Sequence, residues 1–346
     1  MKSDKLMQKD ILVSSYDYIL PENLIAKYPA TPRDSARLLV YDRKKDRIIH
    51  TVFKNILDFT EEKHFVFNNT KVIKARIFGN KDSGGRVELL LNRPYKDAFL
   101  VYIRGKVKRG TKIYFDKGLT AEVLELLEDG SRIVNFKWKM ENGKWKILEF
   151  LELVKILEKI GHVPLPPYIK REDEKTDEKE YQTVFASKVG AVAAPTASLH
   201  FTDELLSKIN KKSYLTLHVG AGTFKPVEVD DIRKHNMHSE FFEIPLSTAK
   251  VFDSDEEIVA VGTTVTRTVE YYARKKQLSG ECDLFLNPLN QPVRVNCLLT
   301  NFHLPKSTLI MLVAAFIGRK KTMELYEEAI RNKYRFYSYG DAMLII

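Results

Sequence analysis

Four short loops in the C-terminal half of the chain carry residue types suited to acid–base chemistry. Each joins histidine to Gly, Pro, Ser or Thr, and together they contain His200, His218, His235, His238 and His303. Imidazole titrates near neutral pH, while hydroxyl groups and backbone amides bind polar ligands. Loops held by a rigid scaffold are also where catalytic residues concentrate. The pattern therefore predicts an active site built from these loops, although a hydrogen-bonded structural role is the alternative for any single histidine.

Two segments that predict a strand followed by a helix are candidate sites for an anion or a ribose. The first places Thr263, Thr264 and Arg267 after Gly262, and free amides at a helix start can bind an anion. Simple N-capping by threonine is the alternative. The second places Lys306 beside Ser and Thr at a helix start, where its ammonium can reach a phosphate or carboxylate. The glycines of a nucleotide-binding P-loop are missing from this segment.

Two more motifs precede these segments in the C-terminal half of the chain, a glycine turn and a histidine pair. Gly220 and Gly222 follow a predicted strand, as in the Gly-x-Gly turn of folds that bind dinucleotides or methyl donors. The third glycine is absent, and a tight turn needing positive φ is the alternative. His235 and His238, followed by Glu240, have a spacing compatible with metal, but neither an HExxH pattern nor a cysteine partner supports it. We therefore predict no metal site here and expect acid–base chemistry or a nucleic-acid contact.

The whole-chain composition limits the class of protein. The 346 residues favour two domains, and the net charge of +10 favours a polyanionic partner such as nucleic acid, with simple solvation as the alternative. The two cysteines, Cys282 and Cys297, form no CxxC pair, which argues against a disulfide framework or a cysteine-rich zinc site. The N-terminal residues contain no apolar signal core, and the most apolar run, 309–318, is about half as long as a membrane span. We therefore expect a soluble, cytoplasmic protein without membrane association.

The order of predicted elements indicates an α/β fold that contains a barrel. A strand at 38–41 and a returning strand at 47–52 come first. Short β-rich runs then alternate with glycine turns, at a spacing typical of a small barrel or sandwich. Their predicted bounds are 72–78, 86–91, 99–104, 112–115, 120–127 and 132–139. After Tyr181 strands alternate with helices, which favours an α/β sheet that binds ligands at the carboxyl ends of its strands.

The remaining expectations concern helices and one charged segment. Apolar spacing predicts an amphipathic helix over 145–160, which Gly161 ends. Further helices are predicted at 264–276 and 308–316, and buried strands at 214–219 and 257–261. The mixed charge run 171–180 is expected to be a solvated loop or a lid.

The motifs together resemble the S-adenosylmethionine:tRNA ribosyltransferase-isomerase family of queuosine biosynthesis. Each motif is weak alone, but their common order over nearly the whole chain makes the resemblance specific. Besides the four histidine loops, the segments that carry it include 16–18, 33–38, 68–73, 161–169, 181–184, 262–270 and 337–344. The resemblance implies an α/β main sheet domain with helices, 1–70 and 155–346, and an inserted small β-barrel domain, 71–154.

The resemblance also implies a reaction. S-adenosylmethionine serves as a ribosyl donor, and its ribosyl group is transferred to 7-aminomethyl-7-deazaguanine at the tRNA wobble position and isomerised. The products are epoxyqueuosine in tRNA, adenine and methionine. S-adenosylmethionine is then a consumed co-substrate, and no further cofactor or metal is required. The implied partner is the anticodon arm of the precursor tRNA, and the protein is expected to be a monomer.

Candidate residues follow from the chemical tasks of this reaction. A base must take a proton from the ribosyl carbon beside the sulfonium or from the attacking amine, and an acid should help adenine leave. The acid–base candidates are His200, His218, His238, His303 and Glu240. The donor-binding candidates are Thr196, Gly220, Gly222, Thr263, Thr264, Arg267, Lys306 and Asp341. Carboxylates such as Glu240 and Asp341 would offset the sulfonium charge, and cations would hold the carboxylate of the methionine part. The candidates for phosphate contacts to tRNA are Lys71, Arg76, Lys106, Lys108 and Arg109.

Other classes of function stay open from the residues alone. An S-adenosylmethionine-dependent tRNA methyltransferase would transfer the methyl group to RNA. A non-catalytic RNA-binding protein would release no adenine, and it leaves the many loops rich in His, Gly and Thr unexplained. A metal-dependent hydrolase would be inactivated by a chelator.

Overall fold

A nine-stranded sheet forms the larger part of the fold in the computed structural model, which describes residues 9–140, 143–224 and 227–346. Strands are numbered along the chain. In spatial order they are β16 (Ser279–Cys282), β14 (Glu240–Glu243), β13 (Lys212–Leu217), β3 (His64–Asn68), β15 (Ile258–Val261), β17 (Cys297–Asn301), β18 (Ala342–Ile345), β1 (Arg37–Asp42) and β2 (Arg47–Val52). The four strands β13, β3, β15 and β17 are parallel to their neighbours in this group. Their carboxyl ends therefore meet at one edge of the sheet, where open α/β sheets bind ligands.

A closed six-stranded barrel forms the second part of the fold. Its strands are β5 (Arg76–Lys81), β6 (Arg86–Tyr95), β7 (Ala98–Arg104), β8 (Lys112–Tyr114), β9 (Leu119–Leu126) and β10 (Arg132–Lys139). The ring closes because β10 pairs with both β7 and β9. Residues alternate along each strand, so that Val87, Leu89 and Leu91 of β6 are buried inside. A short strand, β11 (Trp145–Ile147), pairs with the last three residues of β10, Lys137–Lys139.

Seven α-helices lie wholly within the described ranges. They are α1 (Phe150–Ile160), α2 (Asp177–Glu180), α3 (Asp203–Ser207), α4 (Leu246–Phe252), α5 (Thr263–Lys275), α6 (Thr308–Ile317) and α7 (Arg319–Arg331). Val265 and Val269 of α5 belong to the same buried apolar cluster as Leu215 of β13 and Ala260 of β15. This packing fixes the start of α5 at the carboxyl edge of the large sheet. None of the helices in the described ranges is long and apolar enough to cross a membrane.

The chain crosses between the two parts at two adjacent points. β4 (Thr70–Val72) pairs in parallel with β12 (Lys188–Ala191), and the chain then enters the barrel through residues 73–75. It returns beside its entry point, since His162 N donates to Arg76 O at 2.8 Å. A Cβ at Gly161 would lie 2.2 Å from Lys74 O, so only glycine allows the two crossings to approach this closely.

Most predicted elements are confirmed, and three expectations need correction. The strand predicted over 72–78 is split, because its first residue pairs with β12 while Arg76 and later residues pair in the barrel. The helix predicted over 145–160 begins only at Phe150, and residues 145–147 form β11 instead. The charge run 171–180 is anchored rather than simply solvated. Asp177 is buried and accepts hydrogen bonds from Arg171 at 2.7 and 2.8 Å and from the Tyr339 hydroxyl at 2.9 Å.

The fold class is confirmed as α/β with a β-barrel. The domain limits 1–70, 71–154 and 155–346 remain a prediction. The limit between 154 and 155 falls within α1, whose side chains Leu153, Val154 and Leu157 share the apolar cluster of the barrel.

Candidate functional site

The predicted loops converge at the carboxyl edge of the large sheet. β13 ends just before His218, β15 ends before Gly262, and β17 ends at Asn301, two residues before His303. Two cavities open along this edge, and a third lies beside them against the outside of the barrel. They adjoin one another, because consecutive residues of the same loops line different cavities.

The first cavity, called here the threonine cavity, lies at the start of α5. It has a volume of about 70 Å³, and its lining includes Thr196, Thr263, Thr264, Asn301, His303 and Ser338. Hydroxyl and amide groups dominate the polar part of this lining. Three of the predicted donor-binding residues, Thr196, Thr263 and Thr264, are thus brought together as neighbours.

The second cavity, called here the histidine cavity, lies between the large sheet and the barrel. Its volume is about 520 Å³, and it is lined on the sheet side by His218, Gly220, Gly222, His238 and Glu240. The barrel contributes Asn92, Arg93 and Tyr102. Val219 lines the threonine cavity and the next residue, Gly220, lines the histidine cavity, so the same loop forms a wall of both cavities.

His218 is held in a defined orientation at the wall of the histidine cavity. Its Nδ1 lies 2.7 Å from the hydroxyl of Thr70, and its ring stacks on Phe241 at 6.2 Å. Gly190 makes room for this ring, since a Cβ there would lie 2.8 Å from Nδ1. Burial lowers the pKa of His218 below its usual value, so the imidazole is neutral at pH 7 and able to accept a proton.

Glu240 and Arg267 form a buried ion pair beside this cavity. The side chains are 2% and 5% exposed, and Arg267 Nη1 lies 2.5 Å from Glu240 Oε2. Gly220 N donates to the other carboxylate oxygen at 3.0 Å. Arg267 also donates to the carbonyl oxygens of Leu284 and Cys282, both at 3.0 Å. The guanidinium thus positions Glu240 and the strands β14 and β16, and Glu240 is already charge-compensated rather than available to offset a sulfonium.

His238 lies close to the same carboxylate. Its Nε2 is 4.0 Å from Glu240 Oε1, and its side chain is one-third exposed. A Cβ at Gly222 would lie 3.2 Å from the His238 ring. The glycine turn 220–222 therefore sits between His238, Glu240 and the barrel, which accounts for its small residues without a dinucleotide site.

The other two candidate histidines are more deeply buried. His303 lines the threonine cavity with Nε2 2.7 Å from the Thr300 hydroxyl, and burial lowers its pKa to about 3. His200 contributes to none of the three cavities. It packs against Phe53 at 4.8 Å, its Nε2 lies 3.3 Å from Asn301 Oδ1, and burial lowers its pKa to about 4. These surroundings are those of a structural histidine.

Two further donor-binding candidates lie outside the cavity linings. Lys306 pairs with Asp17 at 2.7 Å and is about half exposed. Asp341 is buried and accepts three hydrogen bonds. Two come from Arg335, from its backbone N at 2.8 Å and its Nη2 at 2.9 Å, and the third comes from Arg37 N at 3.1 Å. Its carboxylate joins the start of β1 to the loop before β18, so the expectation that it faces a sulfonium lacks support from its contacts.

Metal-ligating residue types do not gather anywhere in the described ranges. No group of three or more His, Cys, Asp or Glu side chains within them is arranged to hold a metal ion. His235 instead packs edge-on against Phe285 at 5.4 Å.

Comparison with known proteins places this geometry in a family. The sequence profile of the family described as "Queuosine biosynthesis protein" matches residues 13–345. The chain belongs to this family. A relative from Aliarcobacter butzleri, named S-adenosylmethionine:tRNA ribosyltransferase-isomerase, is 63% identical over 98% of this chain and 100% of its own length. A relative from Nitratiruptor with the same name is 61% identical over the same shares.

A solved structure supports the same assignment. The crystal structure of S-adenosylmethionine tRNA ribosyltransferase from Thermotoga maritima matches with a TM-score of 0.53 and 34% identity. The match covers 96% of this chain and 100% of the Thermotoga chain. The resemblance inferred from the motifs is therefore confirmed at the level of the family.

In this member of the queuosine biosynthesis family, several residues of the site escaped prediction from the sequence. Asn68, fully buried at the end of β3, exchanges hydrogen bonds with both backbone groups of Leu217 at 2.9 and 3.1 Å. Its amide also donates to the Thr264 hydroxyl at 3.3 Å. Asn68 therefore ties the threonine cavity to the end of β13. Its position at the end of a buried apolar strand was the available signal.

Distant segments contribute two more residues to the candidate site. The Tyr168 hydroxyl lies 2.5 Å from Ser338 Oγ, and both residues line the threonine cavity. Asn92 of the barrel accepts a hydrogen bond from Ala221 N at 3.0 Å. A single Asn within a β-rich run carries no sequence signal for such a contact, because the partner lies more than a hundred residues away.

The predicted phosphate-binding residues do not form one group. Arg76 is committed to Glu88 and Glu172, at 2.8 and 2.9 Å. Lys71 is exposed beside β12, whereas Lys106, Lys108 and Arg109 are exposed together in the loop between β7 and β8. Lys106, Lys108 and Arg109 thus form a cluster of exposed positive charge, whereas Lys71 is exposed at a separate place.

Proposed function

We propose that the protein transfers the ribosyl group of S-adenosylmethionine to 7-aminomethyl-7-deazaguanine at the wobble position of tRNA and isomerises it. The products are epoxyqueuosine in tRNA, adenine and methionine. The observation that carries the proposal is the match over 98% of the chain to relatives named for this activity. The cavities at the sheet edge supply a site of suitable chemistry.

The donor spans the boundary between the threonine and histidine cavities. At about 70 Å³ the threonine cavity holds only part of such a molecule, whereas ligand pockets of this kind usually measure about 300–1,000 Å³. The adjoining histidine cavity, about 520 Å³, supplies the remaining room. Thr196, Thr263 and Thr264 offer hydroxyls to the polar groups of the donor, and the amides at the start of α5 suit its carboxylate.

His218 and His238 are the acid–base residues in this proposal. Thr70 engages Nδ1 of His218, which leaves Nε2 for proton transfer at the cavity wall. A neutral His218 can accept the proton from the carbon beside the sulfonium or from the attacking amine. His238 lines the same cavity, with its Nε2 4.0 Å from Glu240 Oε1, and we assign it as the acid that assists the departure of adenine. His200 and His303 instead support the loops.

The tRNA contacts follow from exposed charge. Lys106, Lys108 and Arg109 extend from the barrel, the part that closes one side of the histidine cavity, and would contact phosphates of the anticodon arm. Charge reversal at Lys108 and Arg109 together should weaken tRNA binding and flatten its salt dependence. Reversal at Arg76 is a poorer test, since it would also disrupt the pairs with Glu88 and Glu172.

The decisive experiment combines the protein, S-adenosylmethionine labelled in its methyl group, and tRNA that carries the deazaguanine precursor. Free adenine, labelled methionine and the expected increase in nucleoside mass would support the proposal. Label in the RNA would identify a methyltransferase, and binding of RNA without adenine release would identify a non-catalytic module. Loss of activity with a chelator would favour a metal-dependent reaction. His218→Gln should lose adenine release while keeping its fold by circular dichroism.

A further inference from the structure

The third cavity, called here the seam cavity, lies where the outside of the barrel meets the large part of the fold. Its volume is about 710 Å³. The barrel wall is the outward face of β6 and β7, in which Glu88 pairs with Arg104 and Leu90 with Tyr102. Glu88, Leu90 and Arg104 line the seam cavity, Asn92 lines the histidine cavity, and Tyr102 lines both. The two cavities are therefore successive sections of one groove.

The opposite wall of the groove is also continuous. Residues 164–167 and 170–172 face the seam cavity, and Ala221 joins them. Its neighbours Gly220 and Gly222 line the histidine cavity. The groove consequently runs from the acid–base residues His218 and His238 outward along the barrel, beyond the room that the donor needs.

The polar groups of the seam cavity differ in how far they are already paired. Arg76 is held by two carboxylates, Arg171 by Asp177, and Lys170 by Glu22 at 2.5 Å. Arg104 is different: 86% of its side chain is exposed, and its carboxylate neighbour, Glu88 at 3.6 Å, already pairs with Arg76. Arg104 is thus the cation of this cavity best placed to receive an external anion.

The floor of the seam cavity is apolar and aromatic. Leu90, Tyr102, Pro164, Pro166 and Val192 contribute to it. Planar bases of single-stranded RNA bind to such surfaces by stacking and apolar contact, while an exposed arginine binds the adjoining phosphate. The cavity volume lies within the range of pockets that hold ligands of nucleotide size.

We propose that the seam cavity binds a nucleotide of the RNA strand next to the one being modified, with its base against Tyr102 and Leu90 and its phosphate on Arg104. This inference rests on the proposed function, because it takes the reacting nucleotide to lie in the histidine cavity. It assigns an RNA-binding surface distinct from the exposed loop at Lys106, Lys108 and Arg109. The groove positions the strand, and the adjoining loop adds further phosphate contacts.

The test compares Arg104→Glu with a matched control, Lys320→Glu. Lys320 lies on α7, outside the three cavities, is 82% exposed and has a carboxylate neighbour at 3.8 Å, much like Arg104. Binding of an anticodon stem-loop RNA is measured by fluorescence anisotropy at several salt concentrations, with the KM values for tRNA and S-adenosylmethionine in parallel. Arg104→Glu should weaken RNA binding about tenfold and lower the salt slope by about 0.7. The KM for S-adenosylmethionine should stay unchanged.

Three results would overturn the assignment. Equal RNA affinity for Arg104→Glu and Lys320→Glu would show that the seam cavity does not contact RNA. A raised KM for S-adenosylmethionine alone would assign the cavity to the donor. If Tyr102→Leu binds RNA as tightly as the wild-type protein and Arg104→Glu keeps the wild-type salt slope, neither the proposed base contact nor the proposed phosphate contact exists. Because anisotropy requires no turnover, failure of the inference is separable from failure of the proposed function, which would appear as absent adenine release in the wild-type protein.

Discussion

Replacing Arg267 by Met tests whether the buried ion pair with Glu240 holds the site together. Methionine keeps much of the side-chain volume but removes the charge and its three hydrogen-bonding contacts. Removing one partner from a buried ion pair costs about 3–5 kcal/mol, because the other charge is left uncompensated. Hydrogen bonds to the carbonyl oxygens of Leu284 and Cys282 are lost as well. We therefore expect the free energy of unfolding to fall by about 5 kcal/mol.

Urea unfolding followed by circular dichroism measures this loss. Lys208→Met is the control, since Lys208 and Glu204 form an exposed pair on and beside α3, 58% and 80% exposed, and its loss should leave the unfolding midpoint unchanged. The double variant Arg267→Met with Glu240→Met should regain much of the lost stability, because both buried charges are then absent. The reasoning is refuted if Arg267→Met unfolds at the same urea concentration as Lys208→Met, or if the double variant is no more stable than Arg267→Met.

Three further predictions address the position of His218, the buried histidines and the threonine cavity. Gly190→Ala should lower kcat by about tenfold or more, since its Cβ would lie 2.8 Å from the His218 ring. Gly130 also has a positive φ, but a Cβ there would have no neighbour within 4 Å, so Gly130→Ala should keep full kcat. Equal kcat values for Gly190→Ala and Gly130→Ala would contradict the role of His218. Burial lowers the pKa of His200 to about 4 and of His303 to about 3. The unfolded chain therefore binds more protons below pH 6.5, and stability should fall with decreasing pH by up to about 1.4 kcal/mol per pH unit for each histidine. Urea titrations between pH 7 and 5 should show a shallower fall for His200→Asn, and an unchanged slope would count against its burial as a neutral group. Tyr168→Phe removes the hydroxyl that contacts Ser338 and should raise the KM for S-adenosylmethionine several-fold. Tyr28→Phe, which removes an exposed contact to Glu174, serves as the control, and matching KM values would exclude Tyr168 from the donor site.

The barrel strands were predictable because glycine turns separate short runs with alternating apolar residues. The error at 145–147 has a physical reason: Trp145 and Ile147 fit a strand period of two as well as the helical spacing that continues into α1. Pairing with Lys137–Lys139 of β10 decides in favour of the strand. The order of the large sheet was beyond prediction, since β1 and its neighbour β18 lie at opposite ends of the sequence.

The candidate site was predictable in part. His218 directly follows β13, and Glu240 begins β14, with His238 two residues before it. Because β13 and β14 are antiparallel neighbours, the end of one strand lies beside the start of the other, and the three side chains come together. His200, like His218, lies in a short loop that holds small and hydroxyl-bearing residues, yet it is buried against Phe53. Loop composition indicates polar chemistry but not whether a loop lies over a cavity or over the core, so the sequence alone does not separate these two histidines. The compensation of Glu240 by Arg267 was equally hidden, because the carboxylate and the guanidinium were each assigned to a ligand instead of to one another.

The position of β18 between β1 and β17 has a consequence for the newly synthesised chain. β1 ends at residue 42 and β18 begins at 342, so the ribosome must add about 300 residues before these neighbours can pair. At about 5–20 residues per second this takes on the order of 15–60 s. The barrel strands are complete at residue 139, much earlier. During translation the small barrel can therefore fold while the apolar strand β1 still lacks its neighbour β18 and presents an unpaired edge of the kind that favours aggregation.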